Sequence, residues 1–414
     1  MQYNLSKSKD LFEKKKEYIF QATFFNEAIL EKGKGNYVYD IDGNKYLDLN
    51  SGQFCLSFGH KDKNLAKVVS KQINKIYHTN TSTISPEVLQ ACEDIASITG
   101  GNLKKTIFLS TGSEANECAM RYARFITQKS GIISFSKGYH GLTLGAQHVT
   151  MSGKWARPTC EENYYIDHDC DIQTLKNQFT DILKKSNNNI AAVIIEPILA
   201  VAGIYIPTEE YLKELRELCD KNQILLIFDE CQTGFGRTGK WFCYQHYDIE
   251  PDILTCAKAM GLGFAVSSVT FKTDVAKKIE GKIVHFSSHQ NDPLSCVITS
   301  YMINRMKKNK VLNHITSIST YFEKKLKELE LSSRIIKNVR GKGLIYGFDI
   351  SDDLMQKNPN FSKEFLFELQ KNGVLLQAIR QGRTCRLSPS YIITKKDIDY
   401  LIDKIRLTEK NICF

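Results

Sequence analysis

Apolar residues in the middle of the chain gather in short, nearly uninterrupted runs of strand length: Thr106–Leu109, Gly131–Phe135, Ile190–Ile195, Ile224–Phe228 and Val266–Phe271. Between several of them lie longer stretches with apolar positions at helical spacing, notably Glu114–Gln128 and Glu209–Lys221. A strand that is apolar on both faces must be covered on both, and strands alternating with helices pair in parallel. The pattern therefore predicts an α/β fold, a large domain with a mostly parallel sheet flanked by helices. From about Pro293 it changes to a long helix, short strands at Leu344–Ile350 and Val374–Gln377, and terminal helices, which reads as a smaller α/β C-terminal domain. The predicted division is an N-terminal segment packing with the small domain (1–50), a large domain (51–292), and a linking helix with the small domain (293–414). One run, Ile190–Pro207, is apolar enough to be weighed as a membrane span, but Glu196-Pro197 interrupts it. A strand ending at a buried carboxylate, followed by a turn, fits it better.

Composition narrows the partners. With 414 residues, 42% hydrophobic and 25% charged, the chain is expected to be soluble and globular with a large core. Its formal charge of +10 comes from dispersed lysines, and the clusters Lys14-Lys15-Lys16, Lys104-Lys105 and Lys307-Lys308 lack interleaved aromatic residues. They read as a solvated basic surface rather than a nucleic-acid interface. Twelve cysteines without a CxxC pair, several within apolar stretches, suit reduced thiols in the cytoplasm rather than a disulfide or metal framework. The first residues carry charges and no apolar signal core, so no targeting segment is expected.

Ligands of such sheets bind beyond the carboxyl ends of the strands, and three polar segments fall there. Ser110-Thr111-Gly112-Ser113-Glu114 joins a strand to a helix. Thr111 and Glu114 have capping-box spacing, and a helix start with free amides and hydroxyls is suited either to plain capping or to a phosphate. The strand ILLIFD delivers Asp229 to the sheet's edge, where a buried carboxylate needs a cationic partner such as a protonated ring nitrogen. The glycines of Gly234–Gly239 match a dinucleotide fingerprint, but they begin five residues after the strand ends and would set Asp229 against a pyrophosphate. Lys258, in PDILTCAKAMGLG, follows another β-rich run. It is either a solvated charge or a buried amine able to form a Schiff base with an aldehyde cofactor.

Taken together, FLSTGSEANE, GYHG, IIEP, FDECQTGFGRTG and PDILTCAK, in this order, resemble the class III aminotransferases, pyridoxal-phosphate enzymes of fold type I. The resemblance runs from Tyr39-Asp40-Ile41-Asp42-Gly43 to Arg386-Leu387-Ser388-Pro389. It implies that Lys258 forms the Schiff base with pyridoxal 5'-phosphate and shuttles the proton at the substrate carbon, and that Asp229 keeps the pyridine nitrogen protonated. It implies that Gln232 hydrogen-bonds the ring oxygen, that Tyr139 stacks on the ring, and that Gly112 and Ser113 bind the phosphate. Ser288 matches a hydroxyl that completes the phosphate site of a partner subunit, so a homodimer with shared active sites is implied. Gln53, Glu196 and Arg386 are implied at the substrate, with Arg386 taking its α-carboxylate.

The reaction so implied is transfer of an amino group from an amino acid to a 2-oxo acid. Asn50-Ser51-Gly52-Gln53, Glu196-Pro197-Ile198-Leu199 and Ser287–Leu294 are more similar to the 2,2-dialkylglycine decarboxylase branch, which makes decarboxylation-dependent transamination the alternative. An amino-acid racemase and a non-enzymatic, cofactor-binding regulator are further readings. Tyr139 and Leu142 depart from that branch, which has tryptophan and methionine there. Arg380 and Arg383 are read as surface charge or as a second carboxylate contact.

Overall fold

The computed structural model describes residues 3–22, 26–151 and 163–412. The chain divides into two compact units. One comprises residues 64–316 with 341–345, the other residues 1–63, 317–340 and 346–414.

The larger unit is built on a seven-stranded sheet. In spatial order its strands are Leu103–Leu109, Ser267–Lys272, Ile253–Cys256, Leu225–Asp229, Ile190–Ile195, Gly131–Phe135 and Asn163–Ile166. The four pairings from Ile253–Cys256 to Asn163–Ile166 are parallel, and Ser267–Lys272 runs antiparallel to both of its neighbours. Six strands therefore point one way and one is reversed. All six residues of Ile190–Ile195 are buried, as a strand covered on both faces requires. The helix Gly112–Thr127 packs on this sheet with Ala115, Cys118, Ala119, Met120 and Ala123 buried among Ile132, Ala192, Ile194 and Ile227. Small side chains on that face let helix and sheet approach closely. Its start is fixed from both sides: the Thr111 hydroxyl accepts from the Glu114 amide (3.2 Å), and the Glu114 carboxylate accepts from the Ser110 amide (3.0 Å). The helix Glu209–Lys221 is capped in the same way by Thr208 and buries Tyr211, Leu212, Leu215 and Cys219. Among the described residues no helix is long and apolar enough to cross a membrane.

The smaller unit holds two four-stranded sheets. One has the order Leu30–Lys34, Tyr37–Asp40, Lys45–Asp48, Val374–Leu375, and the other Ile336–Lys342, Ile345–Ile350, Thr384–Leu387, Gln377–Ile379. The apolar run expected as one strand at Val374–Gln377 is thus two. Val374–Leu375 pairs in parallel with Leu47 and Asp48, and Gln377–Ile379 pairs antiparallel with Thr384–Arg386. Periodicity could not show this division, because each piece pairs with a strand remote in sequence.

Candidate active site

Five of the six co-directed strands bring expected residues to one edge of the large sheet. Leu103–Leu109 leads into Thr111 and Gly112, Gly131–Phe135 into Tyr139, Ile190–Ile195 into Glu196, Leu225–Asp229 ends on Asp229, and Ile253–Cys256 leads into Lys258. Asp229 lies opposite Thr255 in the parallel register, three residues before Lys258.

Asp229 is 4% exposed, and each carboxylate oxygen is held. Its Oδ2 accepts from Asn116 Nδ2 (2.7 Å) and faces His140 Nδ1 at 2.9 Å, while its Oδ1 accepts from the Cys231 amide (3.0 Å). Burial works to raise its pKa. The hydrogen bond and charge of His140, the bond with Cys231 and the charge of Lys258 outweigh burial, and the carboxyl sits below its ordinary value. Asn116 also donates to the His140 carbonyl (2.8 Å) and accepts from the Thr255 hydroxyl (2.6 Å), so it ties helix, loop and two strands together. Neither Asn116 nor His140 was assigned a role from sequence. The signal was there: Asn116 is the lone amide on an otherwise small and apolar helix face, and His140 follows directly on Tyr139.

Glu196 is 3% exposed and also fully engaged. It accepts from the Tyr139 amide (3.0 Å), the Ala200 amide (3.3 Å) and Gln232 Nε2 (3.0 Å). Burial raises its carboxyl to about 7, reinforced by the charge of Asp229 and opposed by His140 and the two amides. Burial, with the carboxylates of Glu196 and Asp229, also raises the Tyr139 phenol. Glu230 is buried with bonds from Thr233 and from the amides of Cys243 and Tyr244, and burial likewise raises it to about 7.

Lys258 is half-buried and opens a short turn, Lys258–Gly261, with φ +48°. A side chain there stands in the left-handed region, as do those at several other turns of the described residues. At the helix start, Thr111 satisfies the third and fourth amides, leaving those of Gly112 and Ser113 at the open end. A Cβ on Gly112 would lie 2.9 Å from Cys231 Sγ, and one on Gly141 (φ +117°) 2.9 Å from Ser113 Cα. Only glycine allows these loops to close around the helix end. Ser288 is exposed, and His285, three residues before it, lies 3.6 Å from Glu114.

In the smaller unit, Gln53 and Arg386 are brought together. Arg386 is 5% exposed and donates to Gln377 Oε1 (2.8 Å) and Gln53 Oε1 (3.5 Å), with its guanidinium 4.7 Å from the Phe54 ring centre. Gln53 itself is exposed and has φ +63°. Arg380 and Arg383 lie near Asp349 (3.8 Å) and Asp352 (3.6 Å).

A helix start with two open amides, a carboxylate kept ionised and a half-buried amine, all at one sheet edge, suit a phosphorylated pyridine aldehyde. The chain matches the family described as class III aminotransferase over residues 21–408. It is 33% identical to the acetylornithine aminotransferase of Archaeoglobus fulgidus, covering 95% of this chain and 99% of that one. The chain belongs to the class III aminotransferases. It is also 32% identical to the [LysW]-aminoadipate semialdehyde/glutamate semialdehyde transaminase of Sulfurisphaera tokodaii, over 89% of this chain and 91% of that one. Among solved structures, the ornithine aminotransferase of Toxoplasma gondii superposes with a TM-score of 0.88 at 26% identity, over 99% of this chain and 95% of that one. A transaminase from Virgibacillus gives 0.91 at 23% identity, over 97% and 98%, a likeness of fold. This class III aminotransferase is therefore a fold type I, pyridoxal 5'-phosphate-dependent transferase. The relatives support amino-group transfer and lend nothing to the decarboxylating alternative.

Proposed function

We propose that the enzyme moves an amino group from the terminal amine of an amino acid of the ornithine or acylated-ornithine class to a 2-oxo acid, as a homodimer in the cytoplasm. The donor class rests on the acetylornithine and semialdehyde aminotransferases it resembles, and the reducing compartment on the free thiols of its described cysteines. The observation that carries the reading is Asp229: a buried carboxylate held in its charged form, with Lys258 near enough to lower its pKa.

When bound, pyridoxal phosphate supplies a ring that accepts the electrons left behind as a proton leaves the substrate carbon. Asp229 keeps a proton at the ring nitrogen, and Asn116 and His140 hold that carboxylate ionised and aimed. Gly112 and Ser113 bind the phosphate at the helix start, where the partial positive charge favours it. The partner subunit's Ser288 completes that site. Lys258 would be the amine that holds the cofactor's aldehyde and the base that moves the proton at the substrate carbon. Tyr139 would pack against the cofactor ring, and Gln232 would be a donor to its phenolic oxygen. Glu196 binds the Tyr139 amide and the Gln232 side chain, so at the substrate its part is to fix these two neighbours. Arg386, with Gln53 beside it, takes the substrate carboxylate through its planar fork of donors.

The test is borohydride reduction of the holoenzyme followed by mass analysis, with N-acetylornithine and 2-oxoglutarate as assay substrates. The cofactor should be found on the Lys258 peptide, and Lys258→Ala should abolish both labelling and transfer. Labelling that persists in Lys258→Ala overturns the site. Carbon dioxide release from 2-aminoisobutyrate with pyruvate, without transfer from N-acetylornithine, overturns the reaction in favour of decarboxylation.

A further inference from the structure

Next to Ser288 in the chain, the large unit carries a second convergence of ligating side chains. The two oxygens of Asp292 are each directed at an imidazole: Oδ1 lies 2.6 Å from His78 Nδ1 and Oδ2 2.6 Å from His289 Nδ1. The two rings have centres 5.1 Å apart, and one ligand atom from each residue can be chosen so that all three lie within 4.8 Å of one another. We propose that His78, His289 and Asp292 form a binding site for a zinc-class divalent cation, with water completing a four-coordinate shell.

The charge balance favours a cation. The Asp292 carboxylate is 11% exposed, and its ion-pair partners among the described residues are the two histidines. A dication held between the three groups would compensate the charge of this largely buried carboxylate. As a neutral ligand each imidazole would carry its proton on Nε2 and offer Nδ1, the atom that faces Asp292. Two imidazoles and one carboxylate suit zinc or cobalt rather than calcium or magnesium, which prefer oxygen ligands alone.

The backbone holds the ligands in place. Asn291 is locked to the strand Leu103–Leu109 by bonds in both directions with Phe108, each 3.0 Å. Asp292 precedes the helix Pro293–Lys308, and its carbonyl accepts from Cys296 (3.1 Å). Tyr77, beside His78, accepts from the Leu294 amide (3.4 Å). With metal–ligand bonds of about 2.0–2.2 Å, tetrahedral neighbours stand about 3.3 Å apart, so the nitrogen facing the ligating Asp292 oxygen must open by about 0.7 Å, and the other ligand atoms, within 4.8 Å of one another, must close by up to about 1.5 Å. Exposed histidine side chains on a fixed backbone can make that adjustment. The bound ion would join the segment at residue 78 to the one that follows Ser288.

The test uses the holoenzyme, stripped with a chelator that is then removed. Zn²⁺ binding is read by equilibrium dialysis and Co²⁺ binding by the visible d–d absorption of a four-coordinate ion. One equivalent per chain is expected, weakened at least about ten-fold in His289→Ala and in Asp292→Asn. Substoichiometric binding, or a cobalt spectrum and zinc affinity unchanged in both variants, overturns the proposal and assigns any bound metal to other groups such as the thiols. Circular dichroism of each variant confirms that a lost signal is not lost folding.

Discussion

Replacing Asn116 by alanine removes three hydrogen bonds from a fully buried position: donation to Asp229 Oδ2 at 2.7 Å, donation to the His140 carbonyl at 2.8 Å, and acceptance from Thr255 Oγ1 at 2.6 Å. A bond to a carboxylate contributes about 1.5–3 kcal/mol and a neutral one about 0.5–1.5 kcal/mol, so the loss sums to about 4 kcal/mol. Oδ2 keeps its contact with His140, which limits the damage to Asp229 itself. Asn116→Asp separates charge from shape. It puts a second carboxylate where an amide stood 2.7 Å from Asp229 Oδ2, so at neutral pH it should be worse than alanine. It should recover as acid lets the two carboxyls share a proton, whereas alanine should not. Urea unfolding followed by circular dichroism gives the stability of each variant. Thr255→Val alone and combined with Asn116→Ala closes a double-mutant cycle whose coupling should be about 1 kcal/mol. A cost below about 1 kcal/mol for Asn116→Ala, or no acid recovery of Asn116→Asp, would refute the reasoning that this amide holds the Asp229 carboxylate.

Two further outcomes are expected. Burial raises Glu196 and Glu230 from an ordinary 4.5 to about 7, so the folded chain holds their protons more tightly and unfolding releases them between those values. Stability should fall as pH rises through that window, by about 3 kcal/mol for each group. Asp229, whose carboxyl is lowered, contributes stability throughout that window and loses it only at lower pH, as the pH falls through its folded value. Glu196→Gln should flatten the slope of unfolding free energy against pH, and an unchanged slope would count against the burial argument. Gly141→Ala forces a Cβ into a position with φ +117°, 2.1 Å from Ser113 Oγ and 2.9 Å from its Cα. The helix start must shift, costing about 1–3 kcal/mol and weakening retention of pyridoxal phosphate. Thermal melting and cofactor titration check both effects, and unaltered cofactor affinity would argue against a tight phosphate loop.

Most strands of the large sheet, its main helices and the residue types at the sheet's edge are legible in the amino-acid pattern alone. Ile190–Ile195 is apolar at every position because it is buried on both faces, and that is legible without coordinates. The helix from Gly112 was legible through its cap, although its first turn begins two residues before the periodic stretch. The strand Asn163–Ile166 was not legible: it is short, lies at the sheet's edge, and only half of its residues are buried. The reversal of Ser267–Lys272 was equally hidden, because direction depends on which neighbour a strand meets and not on its own pattern.

At the site, the sequence named Lys258, Asp229 and Glu196 as chemistry-bearing types in motif positions. Tertiary structure decided what each side chain does with its hydrogen-bonding capacity. Glu196 is occupied by the Tyr139 and Ala200 amides and the Gln232 side chain, partners 57, 4 and 36 residues away in the chain. Asn116 and His140 meet Asp229 across 113 and 89 residues. Local patterning fixes where a carboxylate can be buried, since burial follows from the apolar run that carries it. Whether that carboxylate remains charged depends on donors brought from distant segments, and only the folded chain supplies them.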